Sequence, residues 1–431
     1  MSSLADRLRG MLGPQGGPKG PPLRQDEDLQ YEIERSGGPS GPPDAADILD
    51  GEWRESRGRK FLVVDRRFAP GYRHGRLCVA DCVPPWPRFE LLSTGGSGTR
   101  PPLTIDRILF LDLETTGLAG GAGTYAFLVG CGWFEPPAPL ASTGPAGSFR
   151  TRQFFLADFA AERALLESVT QLADDFSCVV TYNGKTFDLP LMETRFALQR
   201  MDTPFAEVAH VDLLHPARRM WRQDDVECRL TFLEQALCGH EREGDVPGFE
   251  IPSRYFRYVR SGDARPLEAV LEHNRLDIVS LAMLTARASQ LLDEGPSAAT
   301  TPREAFGMGC LYERAGLLEE ALASFRRSRT VEGERASAVL LRRLRRYEEA
   351  AAAWRELLAR RNCPPGYVRE ATEALAVHHE HRVRDLETAR GFALQALPLQ
   401  ATAARQGAVK YRLARLDRKL GAPVLPCLPL A

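Results

Sequence analysis

Two acids one residue apart, Asp112 and Glu114, close the apolar run ILFLDLETTG at 108–117. In an extended chain, residues i and i+2 project to the same face, so these carboxylates would lie side by side. Like charges at that spacing are unfavourable unless one is protonated or a cation lies between them. A hard divalent ion with oxygen ligands fits. The same letters also suit an ordinary turn or cap. The glycine-rich GLAGGAGTY that follows lacks the lysine of GxxxxGK[ST] and is no phosphate-cradling loop. It reads as a turn between two strands.

A second group lies in VVTYNGKTFDLPLMETRF (179–196). Asp188 falls near a helix start, where an acid caps the helix for about 1 kcal/mol. Tyr182, Asn183, Gly184, Phe187 and Asp188 together are more than a cap needs. Asn183 either hydrogen-bonds a ligand or makes an Asx-type turn. A third group is His273 and Asp277, at i and i+4 in the helical stretch LEAVLEHNRLDIVSLAMLTARASQLL. Apolar residues crowd this pair on several sides (Ile278, Leu281, Met283), so it is expected to line a cleft rather than face bulk water. Asp212 in HVDLLHP reads as a helix cap. His74, Cys78 and Cys82 are close in sequence, but the spacing is poor for a metal site, and buried thiols in strands are the plainer reading.

The elements that must position these residues alternate over 103–290. Strands are expected at 107–113, 125–134, 151–156, 177–182 and 207–212, and helices over 159–173, from about 188, and on to 290. Three strands, then helix, strand, helix, strand and helix, match the ribonuclease-H-like order, a mixed sheet flanked by helices. The Gly/Pro-rich, charged segment 1–45 reads as a disordered tail. Residues 46–102 read as a small strand-containing region (KFLVVDRRF, GRLCVADCV) with a linker. Residues 300–425 are helical throughout and form a second, all-α domain. There, Leu318-Glu-Glu-Ala with Phe325 aligns with Tyr347-Glu-Glu-Ala and Trp354, which resembles tetratricopeptide-type hairpins of irregular period.

In order and spacing, DLETTGL, NGKTFD and HNRLD resemble the three motifs of the DEDD superfamily of 3′→5′ exonucleases. The longer run through YNGKTFDLPLMETR and DVPGFEIPSRYFRYVRSGD resembles the YprB-type ribonuclease-H-like family, over about 105–290. The resemblance implies a catalytic set of Asp112, Glu114, Asp188, His273 and Asp277. Its four acids would hold two Mg²⁺ or Mn²⁺ ions, one with Asp112 and Asp277 and the other with Asp112 and Glu114, while Asp188 acts largely through water. It also implies hydrolysis of single-stranded DNA or RNA from a 3′ end. Leu118 and Phe187 are then candidates for packing on terminal bases, or plain core residues. Thr115 and Thr116 either touch the terminal nucleotide or finish the strand. One departure stands out: His273 precedes Asp277 by four residues, the superfamily's tyrosine spacing, whereas its histidine stands five before. A histidine there still suits general-base work near neutrality.

Net charge is −1 over 431 residues, yet 301–431 carries about 23 basic against 15 acidic residues. That asymmetry favours a polyanionic partner for the C-terminal part; RRSR (326–329) and RRLRR (342–346) either contact phosphate or form a solvated face. Nine cysteines without a CxxC pair, and an N-terminus without an apolar signal region, lead to the expectation of a reducing, cytoplasmic setting and no membrane span. The competing class is a decayed nuclease fold serving as a scaffold, with the helical repeats binding a protein or nucleic acid. Loss of one acid would favour it, and all four are present.

Overall fold

The computed structural model describes residues 44–93, 107–117, 121–135, 147–222, 228–400 and 402–421. Seven strands form one mixed sheet in the order β1-β2-β7-β6-β5-β8-β9. They are β1 (Glu52–Ser56), β2 (Arg59–Phe68), β5 (Ile108–Thr115), β6 (Ala126–Phe134), β7 (Phe149–Phe155), β8 (Cys178–Thr181) and β9 (Ala209–Asp212). β5, β6 and β7 run as an antiparallel meander, while β8 and β9 join parallel to β5. The expected strands are found within about two residues of their predicted ends. The tail expected over 1–45 lies, but for its last residues, outside the described residues.

β5 shows why the sheet is covered on both faces. Ile108 and Phe110 enter one hydrophobic core, and Leu109, Leu111 and Leu113 enter another. The period of two then carries Asp112 and Glu114 onto the Ile108/Phe110 face. The helix Glu268–Glu294 crosses that face, and two glycines of β6 make the crossing close. A Cβ on Gly130 would lie 2.2 Å from Asn274 Oδ1 and 2.4 Å from Ile278 Cδ1, and one on Gly132 would lie 2.4 Å from Ile278 Cγ2. Glycine weakens a strand, but here it admits the helix against the sheet. Gly130 pairs in register with Asp112, so the close approach falls beside the first acid.

Two features depart from the sequence reading. β1 and β2 lie N-terminal to the 103–292 region, yet β2 pairs with β7 along seven residues and extends the same sheet. GRLCVADCV does not form a strand: Leu77–Cys78 is a two-residue β4 paired with β3 (Arg73–His74), and Val79–Cys82 is a helical turn. Val79 and Cys82 at i and i+3 are both buried, which a helical turn satisfies and a strand does not. Gly75, at φ +62°, makes the hairpin and abuts Cys238, whose oxygen would lie 2.2 Å from an added Cβ.

Among the described residues, seven α-helices follow, from Pro302–Ala315 to Ala403–Leu420, each packed on the next through short connections. Ala321, Phe325, Ala350 and Trp354 are all buried. The first of these helices is seated on Leu214–Met220, where Gly307 meets the Arg219 carbonyl and Trp221 Nε1 donates to Glu304 at 3.0 Å. The arginine clusters are largely engaged within the chain: Arg326 pairs with Glu349 at 3.1 Å, Arg343 with Glu313 at 3.5 Å, and Arg346 with Glu319 and Glu349. No helix among the described residues is long and apolar enough to cross a membrane.

Candidate active site: a carboxylate cluster

Three chain segments bring the four acids into one electrostatic field. Asp112 and Glu114 end β5, Asp188 opens the helix Asp188–Leu198, and Asp277 lies in Glu268–Glu294. Burial pushes Asp112 well above the usual carboxylate range, and the charges of Asp277, Glu114 and Asp188 add to it. Glu114 is raised likewise, by burial and then by Asp277, Asp188 and Asp245, with Arg242 opposing. Burial also raises Asp188, to about 7; backbone hydrogen bonds oppose it, while Asp212 and Asp277 add to it. These acids repel one another across partly covered positions.

Asn274, fully buried, holds the first acid from the helix side. Its Nδ2 donates to Asp112 Oδ2 at 2.8 Å, while its Oδ1 accepts from Gln153 Nε2 at 2.8 Å. Gln153 also donates to the Leu271 carbonyl at 2.7 Å, tying β7 to the helix. A buried amide costs free energy unless paired, and both ends of the Asn274 amide have partners. Neither residue was singled out from sequence; an asparagine on the buried face of an apolar helix was the available signal.

Asp212 does more than cap. Its carboxylate accepts from Leu214 N, as a cap would, and also from Asn183 N at 2.8 Å and Lys185 N at 3.1 Å. It therefore holds the turn that feeds Asp188 into the site. Asn183 takes the left-handed conformation (φ +67°), and its side-chain oxygen accepts from Thr186 Oγ1 at 3.3 Å. Thr115 Oγ1 donates to the Gly117 carbonyl, and Thr116 Oγ1 accepts from Tyr125 N. Phe187 is 55% exposed beside Asp188, which removes the plain-core alternative. Leu118 lies outside the described residues.

A segment with no counterpart among the candidate residues reaches in from 242–245. Arg242 Nη2 donates to Asp277 Oδ1 at 2.5 Å and Arg242 Nε to Glu234 Oε2 at 2.7 Å. Asp245 Oδ1 lies 2.6 Å from His273 Nδ1. His273 Nε2 faces Asp277 Oδ2 at 3.6 Å and Glu114 Oε1 at 4.0 Å. Burial disfavours the Asp245 charge, but His273 and Arg242 outweigh it and hold the carboxyl below its usual value. Arg242 and Asp245 carry no local sequence signal, because they act across about thirty residues of chain.

Glu234 braces this segment from behind. It is buried in a π-helical turn, and its Oε1 accepts from Ser280 Oγ and faces His74 Nε2, each at 2.7 Å. Burial opposes its ionisation, yet His74, Arg242 and Ser280 hold its carboxyl below the usual value. His74, Glu234 and His240 bring one ligand atom each within 4.8 Å. However, the Glu234 oxygens are already taken by three donors, and His74 Nδ1 has no partner among the described residues. A metal-bound histidine normally donates its other ring N–H to an acceptor, so the geometry is that of a hydrogen-bonded brace. The grouping of His74 with Cys78 and Cys82 is not formed either, since the Cys78 thiol donates to the Pro70 carbonyl at 3.0 Å.

The four acids offer an all-oxygen donor set, which suits Mg²⁺ or Mn²⁺ rather than a softer metal. Among the described residues, no hydrogen-bond donor reaches the Glu114 carboxylate, leaving it available to a cation. No three of these acids close one oxygen each to within 4.8 Å, and Arg242 draws one Asp277 oxygen aside. The donor chemistry thus suits a hard divalent ion, while the four carboxylates stand apart and one Asp277 oxygen is engaged by Arg242.

Comparison with known proteins agrees with the fold. A family model of the RNase_H superfamily, RNase_H_2, matches residues 109–289, which include all four acids and His273. The chain is 31% identical over 324 residues to the Bacillus subtilis (strain 168) protein YprB, described only as uncharacterized, covering 73% of this chain and 75% of that one. Among solved structures, the family B DNA polymerase of Pyrobaculum calidifontis aligns over 50% of this chain and 30% of its own, at 17% identity and a TM-score of 0.32, too slight a likeness to bear on function. With its mixed sheet, the matched domain and the extent of this identity, the chain belongs to the YprB family of the RNase H superfamily.

Proposed function

We propose that this protein is a divalent-metal-dependent nuclease that removes nucleotides from the 3′ end of single-stranded DNA or RNA. The observation that carries the reading is that Asp112, Glu114, Asp188 and Asp277 share one electrostatic field, three of them with raised pKa values, beside a histidine. Acids arranged against their own repulsion are the signature of a site tuned for chemistry rather than for stability.

Mg²⁺ or Mn²⁺ held by these four acids would polarise the scissile phosphodiester and stabilise its transition-state charge. The chain's own residues do the rest. Asn274 fixes the Asp112 carboxylate so that its second oxygen is free. Asp212 fixes the turn that presents Asp188 and exposes the Phe187 ring, on which a terminal base can stack. His273 Nε2, facing Asp277 and Glu114, takes the proton from the attacking water. The 3′→5′ polarity rests on the resemblance of the three motifs. The C-terminal hairpins, read as tetratricopeptide-like, would offer a surface to a protein or to the strand being degraded.

The test is incubation of full-length protein with 5′-labelled single-stranded DNA and RNA, with Mg²⁺ or Mn²⁺, beside Asp112→Ala. A metal-dependent ladder absent from the variant supports the reading. No cleavage of any substrate by the wild type overturns it and favours the scaffold.

A further inference from the structure

We propose that Asp245 is a positioning residue that fixes the tautomer of His273, placing the ring proton on Nδ1 and leaving Nε2 as a bare acceptor facing Glu114 and Asp277. The catalytic consequence rests on the nuclease reading above; the geometry does not.

An i, i+4 histidine–aspartate pair on a helix leaves open which ring nitrogen carries the proton. A second carboxylate resolves it. Asp245 Oδ1 is 2.6 Å from His273 Nδ1, and an ionised carboxylate can only accept, so the proton of a neutral ring belongs to Nδ1. Nε2 then carries the lone pair. Its two neighbours, Asp277 Oδ2 at 3.6 Å and Glu114 Oε1 at 4.0 Å, stand beyond direct hydrogen-bond reach. Both can only accept when ionised, so what bridges the three must be a donor, and water is the simplest. A water placed there would have a base on one side and two candidate metal ligands on the other.

The arrangement is held rather than incidental. Asp245 Oδ1 also accepts from its neighbour Val246 N at 2.9 Å, and Arg242 Nη1 lies 3.4 Å from Oδ2. Arg242 is itself clamped between buried Glu234 and Asp277. One segment thereby sets two things at once: the direction of an Asp277 oxygen, through Arg242, and the tautomer of His273, through Asp245. This also accounts for a histidine at the four-residue spacing. One turn from Asp277, the ring cannot be oriented by its own helix alone, and the orienting group comes from a different segment.

The experiment uses full-length protein labelled with ¹⁵N-histidine. The His273 resonances, identified by their loss in His273→Gln, are read in long-range ¹H–¹⁵N correlation spectra that distinguish the two tautomers. The wild type should show the Nδ1-protonated pattern. Asp245→Asn presents an amide N–H to Nδ1, which favours the opposite tautomer, so the pattern should shift toward Nε2 protonation. In parallel, kcat on the single-stranded substrate should fall about 10²–10⁴-fold, with KM and Mn²⁺ affinity within about twofold of wild type, and Asp245→Glu should recover part of the loss. A wild-type ring protonated on Nε2, or an Asp245→Asn protein with unchanged spectrum and kcat, overturns the proposal. If the wild type cleaves nothing, the nuclease reading fails and the spectra alone decide the positioning.

Discussion

Asp188→Asn should stabilise the metal-free protein, and by more as the pH rises. The Asp188 carboxyl titrates near 7 in the folded chain and near 3.9 in an unfolded one. Below about pH 4 it is neutral in both states, so wild type and variant should be equally stable. Between about pH 4 and 7 the folded state keeps a proton that the unfolded state has released, and wild-type stability falls as the pH rises. Above 7 the group is ionised in both states and the penalty is complete. About three units at about 1.4 kcal/mol each set a ceiling of about 4 kcal/mol. Because the residue is only partly covered, screening by solvent should bring the gain to about 2 kcal/mol. The amide keeps the shape and its oxygen can still accept a backbone N–H. The assay is thermal denaturation of both proteins in chelator from pH 4 to 9. A gap that does not change with pH, or a variant less stable at pH 8, refutes the reasoning. Saturating Mn²⁺ should then raise the wild type at pH 8 far more than the variant.

Three further changes probe the frame around the acids. Gly130→Ala should destabilise by about 1–3 kcal/mol in chemical denaturation, because the new methyl meets Asn274 and Ile278; an unchanged midpoint would mean the helix can shift freely. Arg242→Met leaves Glu234 and Asp277 without their cation and should cost about 3–5 kcal/mol, yet tighten Mn²⁺ binding measured by calorimetry. Equal or weaker binding would remove Arg242 from the field of the site. Asp212→Ala frees three backbone N–H groups and should lower activity through a loosened 183–188 turn, read as a larger fall in activity than in Mn²⁺ affinity.

Much of the fold was legible because its signals are local. The apolar run of β5 and the periodic helix around His273 each report on their own neighbourhood, and three motifs in one order name a superfamily. The division at 103 shows the limit: β2 reads as a strand from KFLVVDRRF, but its partner β7 is about ninety residues away, and pairing is not written in either strand. GRLCVADCV was misread for a different reason: its apolar residues suggest a strand, but the i, i+3 spacing of the buried Val79 and Cys82 is that of a helical turn.

The sequence by itself determined the chemistry available: four acids, a histidine, and the period of two that sets Asp112 and Glu114 on one face. The glycines of β6 were visible but mute, because only the docked helix shows that they make room for Asn274 beside Asp112. Tertiary structure alone decided which groups share the field of those acids. Arg242 meets Asp277 and Asp245 meets His273 across 35 and 28 residues, contacts that no periodicity encodes. The physical reason is that side-chain types follow from local sequence, whereas the pKa of a carboxyl and the tautomer of a histidine follow from whatever distant groups the fold places within a few ångströms.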